Sequence, residues 1–259
     1  MKISIITATF NSENTIGSCI ESVNSQTYHN IEHIVIDGAS NDNTMDILKN
    51  TPGRITTVVS EPDQGVYDAL NKGIKLAKGD FIGFLHSDDV LASPKTIENV
   101  ILYFNSCAAG RKSKPDVVYG DLVFVDKCDV NNIVRYWKSK TFNSNLLKQG
   151  WMPAHPTMFM KREAYSKYGL FNINLKCSAD YDYILRVFND QSLEKCYIPL
   201  TITRMRMGGI STGGIKNLIN KSKEDYWVLK KNKMAYPLWT LFLKVFSKFP
   251  QLIFKKECV

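Results

Sequence analysis

Residues 79–89 read GDFIGFLHSDD. The stretch from Phe81 to Leu85 is too short for a helix and too apolar for a surface loop. It predicts a buried strand that delivers His86, Ser87, Asp88 and Asp89 at its carboxyl end. Upstream the same grammar recurs three times. Ile3 to Thr7 reads as a strand ending in Thr7-Ala8-Thr9-Phe10-Asn11, Ile31 to Ile36 as one ending in Asp37-Gly38-Ala39-Ser40, and Ile55 to Val59 as one ending in Ser60-Glu61-Pro62-Asp63-Gln64-Gly65. Between them, Ile16, Cys19, Ile20 and Val23 fall at helical spacing, residues 42–49 form a short helix, and Val66, Leu70, Gly73, Ile74 and Ala77 share one helical face. Strands alternating with helices at this pitch imply an α/β protein with a parallel sheet covered on both faces. In such sheets ligands bind beyond the carboxyl ends of the strands, where every strand here turns polar. For any one of these ends, turn formation or helix capping is the competing use.

After residue 115 the pattern changes. Val117 to Val125 and Ile133 to Trp137 predict a hairpin, and residues 149–160 (QGWMPAHPTMFM) are irregular and aromatic. A helix begins near Ser178, residues 195–207 are strand-like, and residues 208–214 (GGISTGG) read as a mobile loop. The expected organisation is one domain over 1–215, in two halves at 1–115 and 116–215, followed by a basic helical tail over 216–259.

The charge is uneven. The chain of 259 residues carries a net +8, yet residues 216–259 alone hold ten lysines against Glu224, Asp225 and Glu257. A near-neutral body argues against nucleic acid as partner, and a basic tail points to a polyanion or a membrane surface. Six cysteines without a C-x-x-C pair, in a chain of this length, read as reduced intracellular thiols. The polar Thr7, Thr9 and Asn11 interrupt the N-terminal apolar run, which predicts a first strand rather than a leader. No run reaches the roughly 18 apolar residues of a membrane-spanning helix. The location these features predict is cytoplasmic.

Asp88-Asp89 is the sharpest local feature. Adjacent carboxylates past a buried strand are costly unless something positive lies beside them. A hard divalent cation with a substrate diphosphate would serve, since Mg²⁺ or Mn²⁺ takes one or two carboxylates and fills its shell with phosphate oxygens and water. Capping of a helix near Pro94 by Asp89 is the alternative.

Residues 2–11 (KISIITATFN), 35–44 (VIDGASNDNT), 60–74 (SEPDQGVYDALNKGI) and 79–89 resemble, in order and spacing, the successive motifs of family 2 glycosyltransferases. The resemblance is close over about the first 100 residues and looser to about residue 215. It implies the GT-A fold, a Rossmann-like, mostly parallel sheet flanked by helices. It also implies inverting transfer from a UDP-sugar, of the kind used by bacterial enzymes that build O-antigen, capsule or exopolysaccharide repeats. By the same resemblance, Thr7, Thr9 and Asn11 lie in the loop around the nucleotide, Asp37 meets the uracil edge, and Asp63 borders the nucleotide. Asp88 matches the last Asp of the D-x-D metal motif, whose first position is His86 here, and Asp89 is a second candidate ligand. In residues 176–186 (KCSADYDYILR), Asp180 matches the base of the family, with Ala179 in place of the preceding acid. Asp182 is the reserve, and on a helix only one of the two should face the cleft. The implied cofactor is Mn²⁺ or Mg²⁺, and the implied acceptor a lipid-diphosphate-linked sugar.

Trp151, His155 and Tyr67 either line sugar subsites or pack the core. Arg204 and Arg206, alternating on a strand, either clamp a diphosphate or make surface ion pairs. In residues 237–254, Thr240, Lys244, Ser247, Lys248 and Gln251 make one narrow polar stripe on an apolar helix that Pro250 should end. Such a helix can lie in an anionic membrane surface with its lysines toward headgroups, which would place the enzyme peripherally on the inner face of the cell membrane. Packing on the domain or in an oligomer is the other use of the same pattern. Two other functions compete. A sugar nucleotidyltransferase would need a Gly-rich basic loop after the first strand, and Thr-Ala-Thr-Phe-Asn-Ser offers no Gly, Lys or Arg. A degenerate UDP-sugar-binding module without turnover is favoured only by His86.

Overall fold

A parallel strand buried on both faces has no polar side to show, and the first two strands behave accordingly. Every residue of β1 (Ile3–Thr9) and of β2 (Ile31–Asp37) is buried. The computed structural model describes residues 1–51, 53–108, 114–208 and 214–246. In it, β1 pairs in parallel with β2 and with β4 (Phe81–Phe84), and β2 with β3 (Ile55–Ser60). Helices α1 (Ile16–Asn24), α2 (Thr44–Asn50) and α3 (Val66–Leu76) supply the crossovers. The polar atoms caught in this layer find partners: Ser4 Oγ donates to Glu32 (2.6 Å), which also pairs with Lys2.

Beyond β4 the sheet becomes mixed. β5 (Val90–Leu91) and α4 (Thr96–Ala108) precede the hairpin of β6 (Val117–Val125) and β7 (Ile133–Trp137). The irregular aromatic stretch holds a one-turn 3-10 helix, His155–Thr157, and then β8 (Met158–Lys161), which enters antiparallel between β4 and β6. β9 (Lys195–Arg206) runs parallel to β6. The strand order is β3-β2-β1-β4-β8-β6-β9-β5, with β7 on β6. Short helices α5 (Asn145–Lys148) and α6 (Arg162–Tyr168) flank β8, and α7 (Ala179–Phe188) buries Tyr181, Tyr183, Ile184, Leu185, Val187 and Phe188 in the main core. This is the α/β architecture expected, parallel through β4 and mixed after it.

Two sequence expectations change. Cys107 on α4 and Cys196 on β9 form a disulfide, Cα–Cα 6.6 Å, where reduced thiols were expected; Cys19, Cys128 and Cys177 are free. The two half-cystines lie 89 residues apart, so spacing along the chain gave no sign of the pair. The second change concerns the tail. α8 (Gly214–Lys231) and α9 (Pro237–Phe246) pack on the domain, and α9 turns its polar stripe inward. Thr240 donates to the Lys148 carbonyl (2.9 Å), and Lys244 pairs with Asp225 on α8 (2.9 Å). Lys244 therefore faces protein rather than headgroups; burial pulls its pKa down to about 8, and the Asp225 carboxylate opposes that pull. The rest of the stripe, Ser247, Lys248 and Gln251, and most of the glycine loop lie outside the described residues.

Candidate active site

The carboxyl ends of β1 and β2 build a polar shelf. Asp37 closes β2 with no exposure, and its carboxylate accepts the Ser40 N–H (3.0 Å) and the Ser60 hydroxyl (2.6 Å). Asn11 stands in the left-handed region (φ 48°), donates its N–H to Ser40 Oγ (2.8 Å) and accepts the Asn41 N–H (3.0 Å). That turn clips the loop after β1 to the loop after β2. Asp63 accepts the Gly65 N–H (2.8 Å), and its other carboxylate oxygen lies 2.7 Å from where a Cβ on residue 38 would sit. Residue 38 is therefore glycine because Asp63 occupies the place of its side chain. Thr9 is buried beside Asp37 in the ladder, with a hydroxyl that has no partner among the described residues. Thr7 corrects the sequence reading. Its hydroxyl is buried against His33 Nε2 (3.0 Å), inside the sheet, so it supports β1 and does not reach the shelf.

The second group gathers at the end of β4. Ser87 Oγ meets Ser12 Oγ (2.9 Å) and joins this edge to the loop after β1. Asp88 is half-buried, and among the described residues its carboxylate makes no hydrogen bond or ion pair. Asp89 is not a second ligand. It is fully buried, accepts the Arg206 N–H (3.2 Å) through Oδ1, and leaves Oδ2 without a partner among the described residues. Burial pushes its carboxyl well above the usual range, Asp88 adds to this, and Arg206 opposes it. Arg206 itself ties the Asp88 carbonyl to Ser18, and Arg204 reaches Val130 and Asn131. Both arginines are spent on protein oxygens, so neither forms the diphosphate clamp considered from sequence.

Facing this edge is the start of α7. Asp180 Oδ1 accepts the Tyr181 N–H (2.8 Å) and the Tyr67 hydroxyl (3.4 Å), while Oδ2 accepts no hydrogen bond from a described residue. Burial raises the Tyr67 hydroxyl well above its ordinary value and the Asp180 charge raises it further, so Tyr67 stays a donor. His86 and His155 sit together, ring centroids 6.1 Å apart, and the Asp180 charge acts on both. Burial holds His86 below its ordinary value against the pull of Asp88 and Asp180. His155 stacks on Phe84 (4.9 Å), and burial holds its imidazole at about 4. His155 and Tyr67 thus belong to the cleft wall. Trp151 does not: its indole packs against Tyr119, Phe142 and Phe188 in the core. Asp182 does not either. It is wholly buried and bound by Arg186 (3.1 Å), Lys231 (3.1 Å) and Asn232 (3.1 Å), so it is a structural anchor and not a base in reserve.

Sequence reading passed over Ser40 and Ser60, which fix the Asp37 carboxylate, although Ser40 stands in the quoted DGAS turn. It also passed over Glu224 and Asp225, the two acids in α8, which hold the turn before Asp180.

Comparison with known proteins gives the family and the fold. The profile of Glycosyl transferase family 2 matches residues 4–169. A PGL/p-HBAD biosynthesis glycosyltransferase of Mycobacterium tuberculosis is 29% identical over 212 residues, 80% of this chain and 78% of that protein. The Escherichia coli UDP-Glc:alpha-D-GlcNAc-diphosphoundecaprenol beta-1,3-glucosyltransferase WfaP is 41% identical over 105 residues, 40% of this chain and 41% of that one. The structure of S. aureus TarS 1-349 in complex with UDP-GlcNAc superposes with a TM-score of 0.67 at 18% identity, covering 98% of this chain and 79% of that one. Against a longer TarS structure the chain spans 39% of the length. The superposition shows the GT-A fold.

Proposed function

Because the chain belongs to glycosyl transferase family 2, we propose that it is an inverting enzyme. It moves a hexose from a UDP-sugar to a hydroxyl of a polyprenyl-diphosphate-linked sugar in the synthesis of a bacterial surface polysaccharide of the O-antigen kind. The observation that carries the reading is Asp180. It stands in the first turn of α7, where the helix dipole favours a carboxylate, with one oxygen anchored and the other left for a proton. The E. coli relative, whose name states a UDP-glucose donor and a diphosphoundecaprenol-linked acceptor, supports the choice of substrates.

In this reading Asp37 and Asp63 receive the nucleoside on the shelf. Asp37 is held rigid by Ser40 and Ser60, so it meets the base edge without reorganising. A divalent cation, Mn²⁺ or Mg²⁺, fits the free carboxylate of Asp88. No cluster of three His, Cys, Asp or Glu exists among the described residues, so most of its shell would be diphosphate oxygen and water. When bound, it would neutralise charge on the leaving UDP. Asp180 Oδ2 accepts the proton of the acceptor hydroxyl as that oxygen attacks the anomeric carbon from the face opposite UDP. One displacement inverts the stereochemistry and needs no covalent intermediate.

A lipid-linked acceptor brings the enzyme to the inner membrane face. Among the described residues no helix is long and apolar enough to cross a bilayer. The outer side of α9 offers the contact, with Leu238 70% and Trp239 60% exposed. The test is a panel of UDP-sugars with GlcNAc-diphosphoundecaprenol as acceptor, read as UDP release with Mn²⁺ and with a chelator. Acceptor- and metal-dependent release is expected, with kcat lowered at least about 100-fold in Asp180→Asn while UDP affinity is kept. Wild-type kcat in Asp180→Asn would sink the assignment of the base.

A further inference from the structure

The candidate base is held from below by the C-terminal helices, and the links are individually visible. α7 begins after Ser178, which makes no side-chain cap of its own helix. The N–H groups that precede the helix are taken up by α8. Glu224 accepts the N–H groups of Lys176 (3.1 Å), Cys177 (2.8 Å) and Ser178 (3.0 Å). Ser178 Oγ donates to Asp225 (2.7 Å), and the other oxygen of Asp225 pairs with Lys244 of α9 (2.9 Å). The Lys244 ammonium also lies 3.2 Å from the centre of the Tyr181 ring, directly after Asp180. An ion pair this deep survives only while both charges are present. The approach of α9 is itself built in. Gly150 adopts φ 71°, and a Cβ there would lie 2.5 Å from Lys244 Cβ and 2.6 Å from the Thr240 carbonyl oxygen.

We propose that α9 is a positioning element for the reaction: Lys244, acting through Asp225 and Ser178, fixes the first turn of α7 and with it the Asp180 carboxylate. The catalytic consequence rests on the reading of Asp180 as the base. Removing Lys244 leaves Asp225 buried with Lys221 as its remaining neighbouring cation. Asp225 then holds Ser178 less firmly, and the turn bearing Asp180 loosens. Misplacement of a reacting group by about 1 Å costs on the order of 100-fold in rate. The nucleotide shelf at the ends of β1 and β2 shares none of these contacts, so donor binding should not follow.

The experiment uses the full chain and two variants, Lys244→Met, which keeps the stem, and Ser178→Ala, which removes one link and no charge. Hydrogen exchange needs no substrate. Amides 176–182 should exchange about tenfold faster in Lys244→Met, with protection in β1, β2 and β4 unchanged. With UDP-glucose and GlcNAc-diphosphoundecaprenol, kcat should fall about tenfold or more while the donor KM stays within about twofold. Ser178→Ala should show the same split more weakly, which keeps the test open if Lys244→Met fails to fold. Unchanged exchange over 176–182 would overturn the proposal. So would a kcat loss accompanied by an equal rise in donor KM and a fall in Tm, the mark of a general structural role. Asp180→Asn separates the two readings. If it keeps wild-type kcat, the base assignment fails and the kinetic part falls with it. If it abolishes turnover while Lys244→Met leaves kcat intact, the positioning role alone is refuted.

Discussion

His155 is held neutral where an exposed histidine would charge. Its ring stacks on Phe84, meets Phe171 edge-on, and leaves Nε2 buried without a partner among the described residues. Burial lowers its pKa from 6.5 to about 4. Between those values the unfolded chain binds a proton that the native ring does not, so the contribution is complete above pH 6.5 and is lost as pH falls toward 4. The full loss is about 3 kcal/mol, at a slope of up to about 1.4 kcal/mol per pH unit. His33 is lowered to about 4 by the same cause and adds a slope of the same sign. His155→Phe should therefore flatten, but not abolish, the fall in unfolding free energy between pH 7 and 4, as measured by urea unfolding. An unchanged slope would mean that the ring already takes up a proton in the fold. At this scale the sequence showed which residues were chemically interesting but not which way they point. Asp37, Asp63, Asp88 and Asp180 were legible as polar residues at strand ends or a helix start. Thr7, Asp89 and Asp182 carry the same signal, yet each is turned into the protein. A strand buried on both faces has no alternation to reveal the side that is open.

At the scale of elements, α7 carries two carboxylates with opposite duties. Asp180 faces Tyr67 and the histidines, whereas Asp182 faces Arg186, Lys231 and Asn232. The Lys231 pair clamps α7 to the end of α8, while the Arg186 pair lies within α7. Asp182→Ala should lower stability by about 2 kcal/mol, below the usual cost of breaking a buried pair, because Lys231 and Arg186 still reach water. Thermal unfolding checks this, and UDP affinity at a temperature where the variant is folded should be unchanged. A loss of UDP binding in folded protein would contradict the division of labour. The strands and helices through β4 follow from hydrophobic period because each crossover is local. β8 was hidden inside an aromatic, proline-containing stretch, since antiparallel insertion between β4 and β6 depends on partners far away in the chain. The inward turn of α9 was hidden for a related reason. The period shows a narrow polar stripe, but only Asp225 and the Lys148 carbonyl decide that the stripe faces protein.

For the whole molecule, that orientation leaves an apolar surface. Trp239 stacks on Phe242 (5.4 Å) and Phe246 lies tilted against Phe242 (4.2 Å), an aromatic row running along the exposed side of α9 beside Leu238 and Tyr236. Lys223, Lys230 and Lys233 are exposed on α8 and the turn after it. Aromatic rings rimmed by lysines suit the boundary between headgroups and acyl chains, with the lysines drawn to anionic lipid. The same helix carries Lys244 inward, so the surface proposed to meet lipid and the ion pair beneath Asp180 are opposite faces of one element. The double variant Trp239→Ser/Phe242→Ser should keep the fold, since both side chains are exposed. It should weaken binding to phosphatidylglycerol-containing vesicles by roughly 30-fold, taking about 1 kcal/mol for each partly inserted ring. Flotation of the full chain with such vesicles measures it. If the variant floats as well as the wild type, the row is not the lipid contact. Sedimentation would then decide whether it joins two copies of the chain, a wild-type dimer that the variant dissolves being the outcome that reassigns the face.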